Sequence, residues 1–254
     1  MIFNNTLFVF LMLLVASGYS IAAETICVDD ATTFGVSYTT DWQLSGHEKE
    51  PARIHNHETN KKTVDLEFFA KTGKVAYLLP EKNVAEAWIK QPKNQLVFLR
   101  AFPDENRGIE YTYGDLLSLN VNLQWEQVKR PFLPLQIAKL ELLDESVDQC
   151  GKLETRKGIV NGQKTIVTWY PELDIVKYRL VNDKNFRVET RLSGWKNKAE
   201  SLASFDKITA MPTMDFADIG DNEADPFVAK MIRQGFVAHV HADGNVSYPG
   251  GHQH

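Results

Sequence analysis

The histidines are the residues whose spacing best suits chemistry. All seven fall in two clusters, His47, His55 and His57, then His239, His241, His252 and His254. A His-x-His pair occurs at 55/57, at 239/241 and at 252/254. On an extended segment residues i and i+2 face the same side, so both imidazoles of a pair can reach one metal ion. Zinc and copper take imidazole nitrogens readily, and His55, His57, His239 and His241 are the candidate ligands. The same residues also suit a solvated loop and tail, since the spacing matches no established zinc motif. A second group is acidic: Asp215, Asp218, Asp221, Glu223 and Asp225 offer hard oxygen ligands for calcium. They lack the alternating Asp-x-Asp-x-Asp-Gly order, and carboxylates before a helix also stabilise its dipole. For catalysis the sequence has no Gly-x-Ser-x-Gly elbow, no His-Glu-x-x-His, no phosphate loop and no Gly-x-Gly-x-x-Gly. Paired carboxylates, as in glycosidases, are the one catalytic arrangement left to consider, and their separation is not written in a sequence.

The two cysteines, Cys27 and Cys150, bear on compartment. Residues 7–17 form an apolar run too short to span a bilayer, followed by the small residues Ser20, Ala22 and Ala23. That layout predicts a cleaved secretory signal over residues 1–23, although Met1 to Thr6 contains no Lys or Arg. An uncleaved membrane anchor is the alternative; with cleavage, no transmembrane span is expected in the mature chain. In an exported protein an even cysteine count favours a disulfide, here Cys27–Cys150, worth about 4–5 kcal/mol in the chain-entropy model. Two separate thiols are the other reading. Export implies a periplasmic or secreted protein. A net charge of −5 without a basic run argues against nucleic acid as a partner.

The elements that must position any site begin with the stretch from Gly151 to Trp195. Leu153–Val160, Gln163–Tyr170, Ile175–Val181 and Phe186–Leu192 read as successive strands. Asn161-Gly162 between the first two is the pair that most favours a two-residue type I′ turn, because both residues adopt φ > 0. Phe186, Val188 and Leu192 alternate with Arg187, Glu189 and Arg191, the period of a strand with one dry and one wet face. Upstream, Gly35–Leu44 reads as a first strand, Thr63–Phe69 and Val75–Leu79 form a hairpin around Gly73, and Gln95–Phe102 and Gly108–Thr112 are further strands. Val84–Lys90 is ambiguous. Asp115 can cap a helix reaching Val128, stopped by Pro131, and this helix is the expected cover of the meander. Leu135–Leu143 is either helix or strand, Lys196–Ala199 reads as a polar turn and Ser201–Ala210 is undecided. Asp225-Pro226 starts a helix, with Phe227, Val228, Met231 and Ile232 inward.

The whole reads as an α+β protein. It is mainly an antiparallel β-sheet, a curved meander or half-barrel covered by one or two helices, with a short C-terminal helix. A single domain is expected over 24–238, followed by a flexible His-containing tail over 239–254. Aromatic residues gather around the meander, and Trp169, Tyr178 and Phe186 are the candidate lining of an apolar cavity on its concave face. The segments 116–128 and 135–143 filling that face as ordinary core is the competing expectation.

The run Gly162-Gln163-Lys164-Thr165-Ile166-Val167-Thr168-Trp169-Tyr170-Pro171, followed by Leu173-Asp174-Ile175-Val176-Lys177-Tyr178, resembles strands of the exported LolA/LolB lipoprotein-carrier type. The resemblance covers about a sixth of the chain and is a pattern of strand plus turn. It implies a half-barrel that holds acyl chains in a concave sheet, and it assigns no ligand-binding residue. The expected function is therefore an exported, non-catalytic protein that binds a hydrophobic small molecule or an envelope protein on a curved sheet. A metal-handling accessory protein and a carboxylate-based hydrolase are the alternatives.

Overall fold

A computed structural model describes residues 27–28, 30–44, 61–134 and 136–234, with the backbone of 239–240 and 246–247. The strands run, in chain order, β1 (Thr33–Leu44), β2 (Lys61–Lys71), β3 (Lys74–Leu79), β4 (Val84–Lys90), β5 (Leu96–Phe102) and β6 (Arg107–Tyr111). Two short helices, α1 (Tyr113–Ser118) and α2 (Trp125–Val128), precede β7 (Glu141–Asp148), β8 (Gly151–Val160), β9 (Gln163–Tyr170), β10 (Ile175–Asn182) and β11 (Phe186–Lys196). Then come α3 (Lys198–Thr209), β12 (Thr213–Asp215) and α4 (Pro226–Arg233), with β13 (His239–Val240) and β14 (Val246–Ser247) last.

Twelve strands form one open, curved sheet in the order β12-β6-β5-β4-β3-β2-β1-β11-β10-β9-β8-β7. Every pairing in it is antiparallel except the three-residue contact of β12 with β6. The meander is therefore present as expected, and β1 joins it to a second meander, β2 to β6. The Asn161-Gly162 turn has φ of 50° and 80°, the left-handed pair that a type I′ hairpin requires. β13 and β14 pair only with each other among the described residues. No described helix is long and apolar enough to cross a membrane.

Residues opposite each other in neighbouring strands share a face, so the register sorts the sheet into two faces. The inner face carries Val36, Tyr38, Phe68, Val75, Trp88, Phe98, Ile109, Tyr111, Val167, Trp169 and Val176, all buried in one cluster. Leu116, Leu119, Val128, Leu133, Ile137 and Leu140 cover it from the 113–140 segment, and Phe227, Val228 and Met231 cover it from α4. The outer face is dry only over β2 to β5. There Phe69, Ala76, Ala85, Ala87, Leu99 and Ala101 meet Phe205, Ile208 and Met211 of and just beyond α3. The small alanines, together with Gly35, let the helix approach closely; a Cβ at Gly35 would lie 2.8 Å from Ser201 Oγ.

The cover differs from the sequence expectation. Thr112, not Asp115, is the N-cap of α1, and Asp115 at the third helical position reaches back to the Thr112 N–H at 2.8 Å. The helix does not run to Val128. Asn120 adopts φ 57°, and the bonds Val121 N–H to Leu116 O and Asn120 N–H to Leu117 O close a Schellman end. The chain is then extended to Gln124, which restarts as α2. Of the 135–143 run, the described residues 136–143 hold a 3-10 turn, Ile137–Lys139, and the first residues of the edge strand β7. The undecided 201–210 stretch is α3, capped by Asn197, which accepts from Glu200 N–H at 2.9 Å while Glu200 returns the bond.

α4 begins where Asp225-Pro226 predicts. Asp225 accepts from Phe227 N–H at 2.8 Å and from the Arg107 guanidinium of β6 at 2.8 and 3.0 Å. The Arg107 bonds, then the Phe227 amide, hold this carboxyl below the ordinary aspartate range. Cys27 and Cys150 form a disulfide with a Cα separation of 5.4 Å across 123 residues of sequence.

Two expected outcomes follow from these ties. The bridge means that denatured, oxidised protein should present no reactive thiol until reductant is added. The Cys27→Ser/Cys150→Ser double variant should lose about 2–5 kcal/mol in denaturant unfolding. Two thiols reacting without reductant would contradict the assignment. For Asp225, a depressed folded pKa supplies stability that is present above its unfolded pKa, about 4, and is lost as pH falls through the lower folded value. Asp225→Asn should therefore melt below the native protein at about pH 7, with the gap narrowing towards about pH 3. A gap constant over that range would remove this contribution.

Candidate functional site

The inner face of the C-terminal meander is incompletely covered at one end. The Schellman end at Asn120 stops α1, and α2 spans only Trp125–Val128 before Phe132 adopts φ 62° and the chain bends again. Tyr77 of β3 donates from its hydroxyl to Val128 O, fastening α2 over the sheet centre. Tyr38 meets the Phe132 ring edge-on at 5.0 Å. Beyond these anchors a cavity of about 870 Å³ lies between the 127–141 segment and the meander. Its apolar walls are Phe132, Leu133, Pro134 and Leu140 on one side and Gly158 and Val160 of β8 on the other. Gly158 matters to this geometry, because a Cβ there would lie 2.7 Å from Leu140 Cδ2.

The polar lining is mostly cationic: Arg130, Lys139, Lys157 and Arg179 against the single carboxylate Glu141. Some of these charges are already matched. Arg130 Nε lies 2.9 Å from Asp174, and its Nη2 lies 3.1 Å from Glu126. Lys157 Nζ lies 3.4 Å from Glu141. Arg179 differs. It projects from β10 onto the inner face, opposite Val167 of β9 and Thr190 of β11. Its Nε is buried and meets no acceptor among the described residues. Desolvation lowers its pKa, yet a guanidinium stays charged in a protein.

The sequence candidates separate in the structure. Trp169 is 9% exposed on the inner face, with its Nε1 buried and without an acceptor among the described residues. Phe186 lies at the open end of the same face, 6.2 Å from the Trp42 ring. Trp42 and Leu44, the latter opposite Phe186, are 46% and 60% exposed, so an uncovered apolar band reaches this end of β1 and β11. Tyr178 is on the other face. A bulge between Val176 and Tyr178 pairs it with Thr168 and Arg191. There burial and then a hydrogen bond to Glu189 raise its pKa within a polar lattice that includes Arg191 and Asp41. None of the three lines the cavity.

The side chains of His55, His57, His239 and His241 lie outside the described residues. Among the described residues, no three His, Cys, Asp or Glu side chains come together as a metal-holding group. In the acidic stretch, Asp225 is committed to α4 and Arg107. Sequence reasoning passed over Arg179, Arg130 and Lys139. Arg179 did carry a signal, since it is a charged residue between the apolar neighbours Val176 and Val181 of a strand. The bulge that turns it inward carried none.

A second cleft, of about 500 Å³, adjoins the disulfide between Tyr170, Lys177 and Trp195. Asp148 serves it as an internal clamp, accepting from Lys177 Nζ at 2.7 Å, Tyr170 Oη at 2.8 Å and Cys150 N–H at 2.8 Å. Desolvation raises the Asp148 pKa, but these three bonds outweigh it and hold the group below the usual range.

No family model matches the sequence, and no curated protein matches it. Solved structures give low-scoring similarities. One is PNGF-II in a C2 crystal form, with 10% identity and a TM-score of 0.35 over 71% of this chain and 31% of that one. The chain thus spans about a third of the length of PNGF-II. A putative outer membrane lipoprotein-sorting protein domain from Vibrio parahaemolyticus gives 9% identity and a TM-score of 0.29, over 71% of this chain and 93% of that one. An uncharacterized conserved protein from Thermus thermophilus gives 10% and 0.28, over 71% and 90%.

Proposed function

We propose that this is an exported, non-catalytic binding protein that holds a hydrophobic, chain-bearing molecule between its C-terminal meander and the 127–141 segment. The observation that carries the reading is the cavity of about 870 Å³ on the inner face. That size lies within the ordinary range of small-molecule sites, about 300–1,000 Å³. Its apolar walls come from both the sheet and the cover, so a bound chain would lose water on two sides, worth about 25 cal/mol per Å² of apolar surface. The Trp42, Leu44 and Phe186 band at the same end of the inner face supports a site that accepts a long molecule. The Cys27–Cys150 bridge supports an oxidising compartment, periplasmic or extracellular.

The test is a titration with 1-N-phenylnaphthylamine, a neutral apolar fluorophore. Binding should saturate, with the emission rise that a dry environment gives. Val160→Trp, at a half-exposed strand end on the cavity wall, should weaken it at least tenfold with the far-ultraviolet circular dichroism unchanged. Absence of saturable binding, or a Val160→Trp variant that binds as the native protein does, would defeat the reading.

A further inference from the structure

The cavity has a charge pattern that a purely apolar ligand would not use. Four cationic residues and one acidic residue are in its lining, in a chain whose net charge is −5. Of the four, Arg130 and Lys157 are matched by carboxylates, and Lys139 is exposed to solvent. Arg179 is the exception in both respects. Its guanidinium is partly desolvated, and no salt bridge to it occurs among the described residues. The inner-face row it stands in offers only Val167 on one side and Thr190 on the other. The Thr190 hydroxyl is already engaged with Thr40, 3.1 Å away. A charge taken from water without a partner is strongly disfavoured, and a protein normally offsets it with an opposite charge. Trp169, on the same face two residues along β9 from Val167, adds another buried N–H donor without an acceptor among the described residues.

We infer that Arg179 receives the anionic headgroup, a carboxylate or a phosphate, of an amphiphile whose chain lies against Phe132, Leu133, Leu140 and Val160. The guanidinium fork presents parallel N–H donors that match either oxyanion in a bidentate pair, which an ammonium cannot do. Lys139 at the rim draws the headgroup in. The headgroup is thereby buried at the sheet while the chain runs along the cover, and selectivity among amphiphiles comes from charge rather than chain. This inference rests on the binding reading above and deepens it.

Displacement of bound 1-N-phenylnaphthylamine by dodecanol, dodecanoate and dodecyl phosphate separates the two. Native protein should bind at least one of the two anions at least tenfold more tightly than dodecanol. Arg179→Gln should remove that advantage and leave dodecanol unchanged, and Arg179→Lys should restore only part of it. The anion that loses more in Arg179→Gln identifies the headgroup as carboxylate or phosphate. Dodecanol displacing as well as both anions, or an anion preference that survives Arg179→Gln, overturns the headgroup assignment while the cavity reading stands. Failure of the fluorophore to bind at all overturns both. Far-ultraviolet circular dichroism checks folding, and since Arg179 holds no ion pair among the described residues, Arg179→Gln should melt no lower than the native protein.

Discussion

Everything in this fold depends on β1 being hydrogen-bonded along both edges. It pairs with β2 from Thr33 to Gln43 and with β11 from Gly35 to Leu44. An antiparallel sheet of adjacent hairpins could be built from either half of the chain alone. Only β1 makes them one surface, and it does so by joining residues far apart in sequence, as in the buried Thr40–Thr190 contact. The single bulge in that joint, between Ser37 and Tyr38 opposite Ser193, keeps Tyr38 and Leu192 on the inner face although the strands differ by a residue.

With the two halves fused, each face must be dried separately, and the chain has too little helix to finish both. α3 dries the outer face only over β2 to β5, where alanines allow it to sit close. The outer face of the C-terminal meander is left to a lattice of Asp41, Glu189, Arg187 and Arg191. On the inner face the cover consists of short pieces with turns between them, each ended by a left-handed residue at Asn120 or Phe132. The cavity lies between those pieces and the meander, with Arg179 in its lining.

The strands were readable from the sequence because their signals are local. Period-two alternation, Asn161-Gly162 and the Pro residues at 80, 103 and 171 each act within a few residues. Asp225-Pro226 marked α4 for the same reason. The failures share a different cause. The break at Asn120 depends on one residue adopting φ > 0 in a window whose apolar spacing still suits a helix. The α3 helix has a weak apolar stripe, so periodicity missed it although Asn197 and Glu200 spelled a capping box. For the site, the facing of Tyr178 and Arg179 hinges on the bulge after Val176. A bulge shifts every later side chain of a strand to the other face, and no residue in Val176-Lys177-Tyr178 announces it.

The disulfide also bears on the order in which the sheet assembles. β11 must find β1 across the intervening chain, and Thr40 and Thr190 are separated by 150 residues. Once Cys27 and Cys150 are linked, the path between those threonines runs through the bridge and is roughly a third as long. Closure entropy grows with the logarithm of loop length, so the search becomes easier by about 1 kcal/mol. Oxidation ahead of sheet closure would thus act as a kinetic shortcut. A chain kept reduced would have its two meanders forming independently, each with an unpaired edge exposed while it waits for the other.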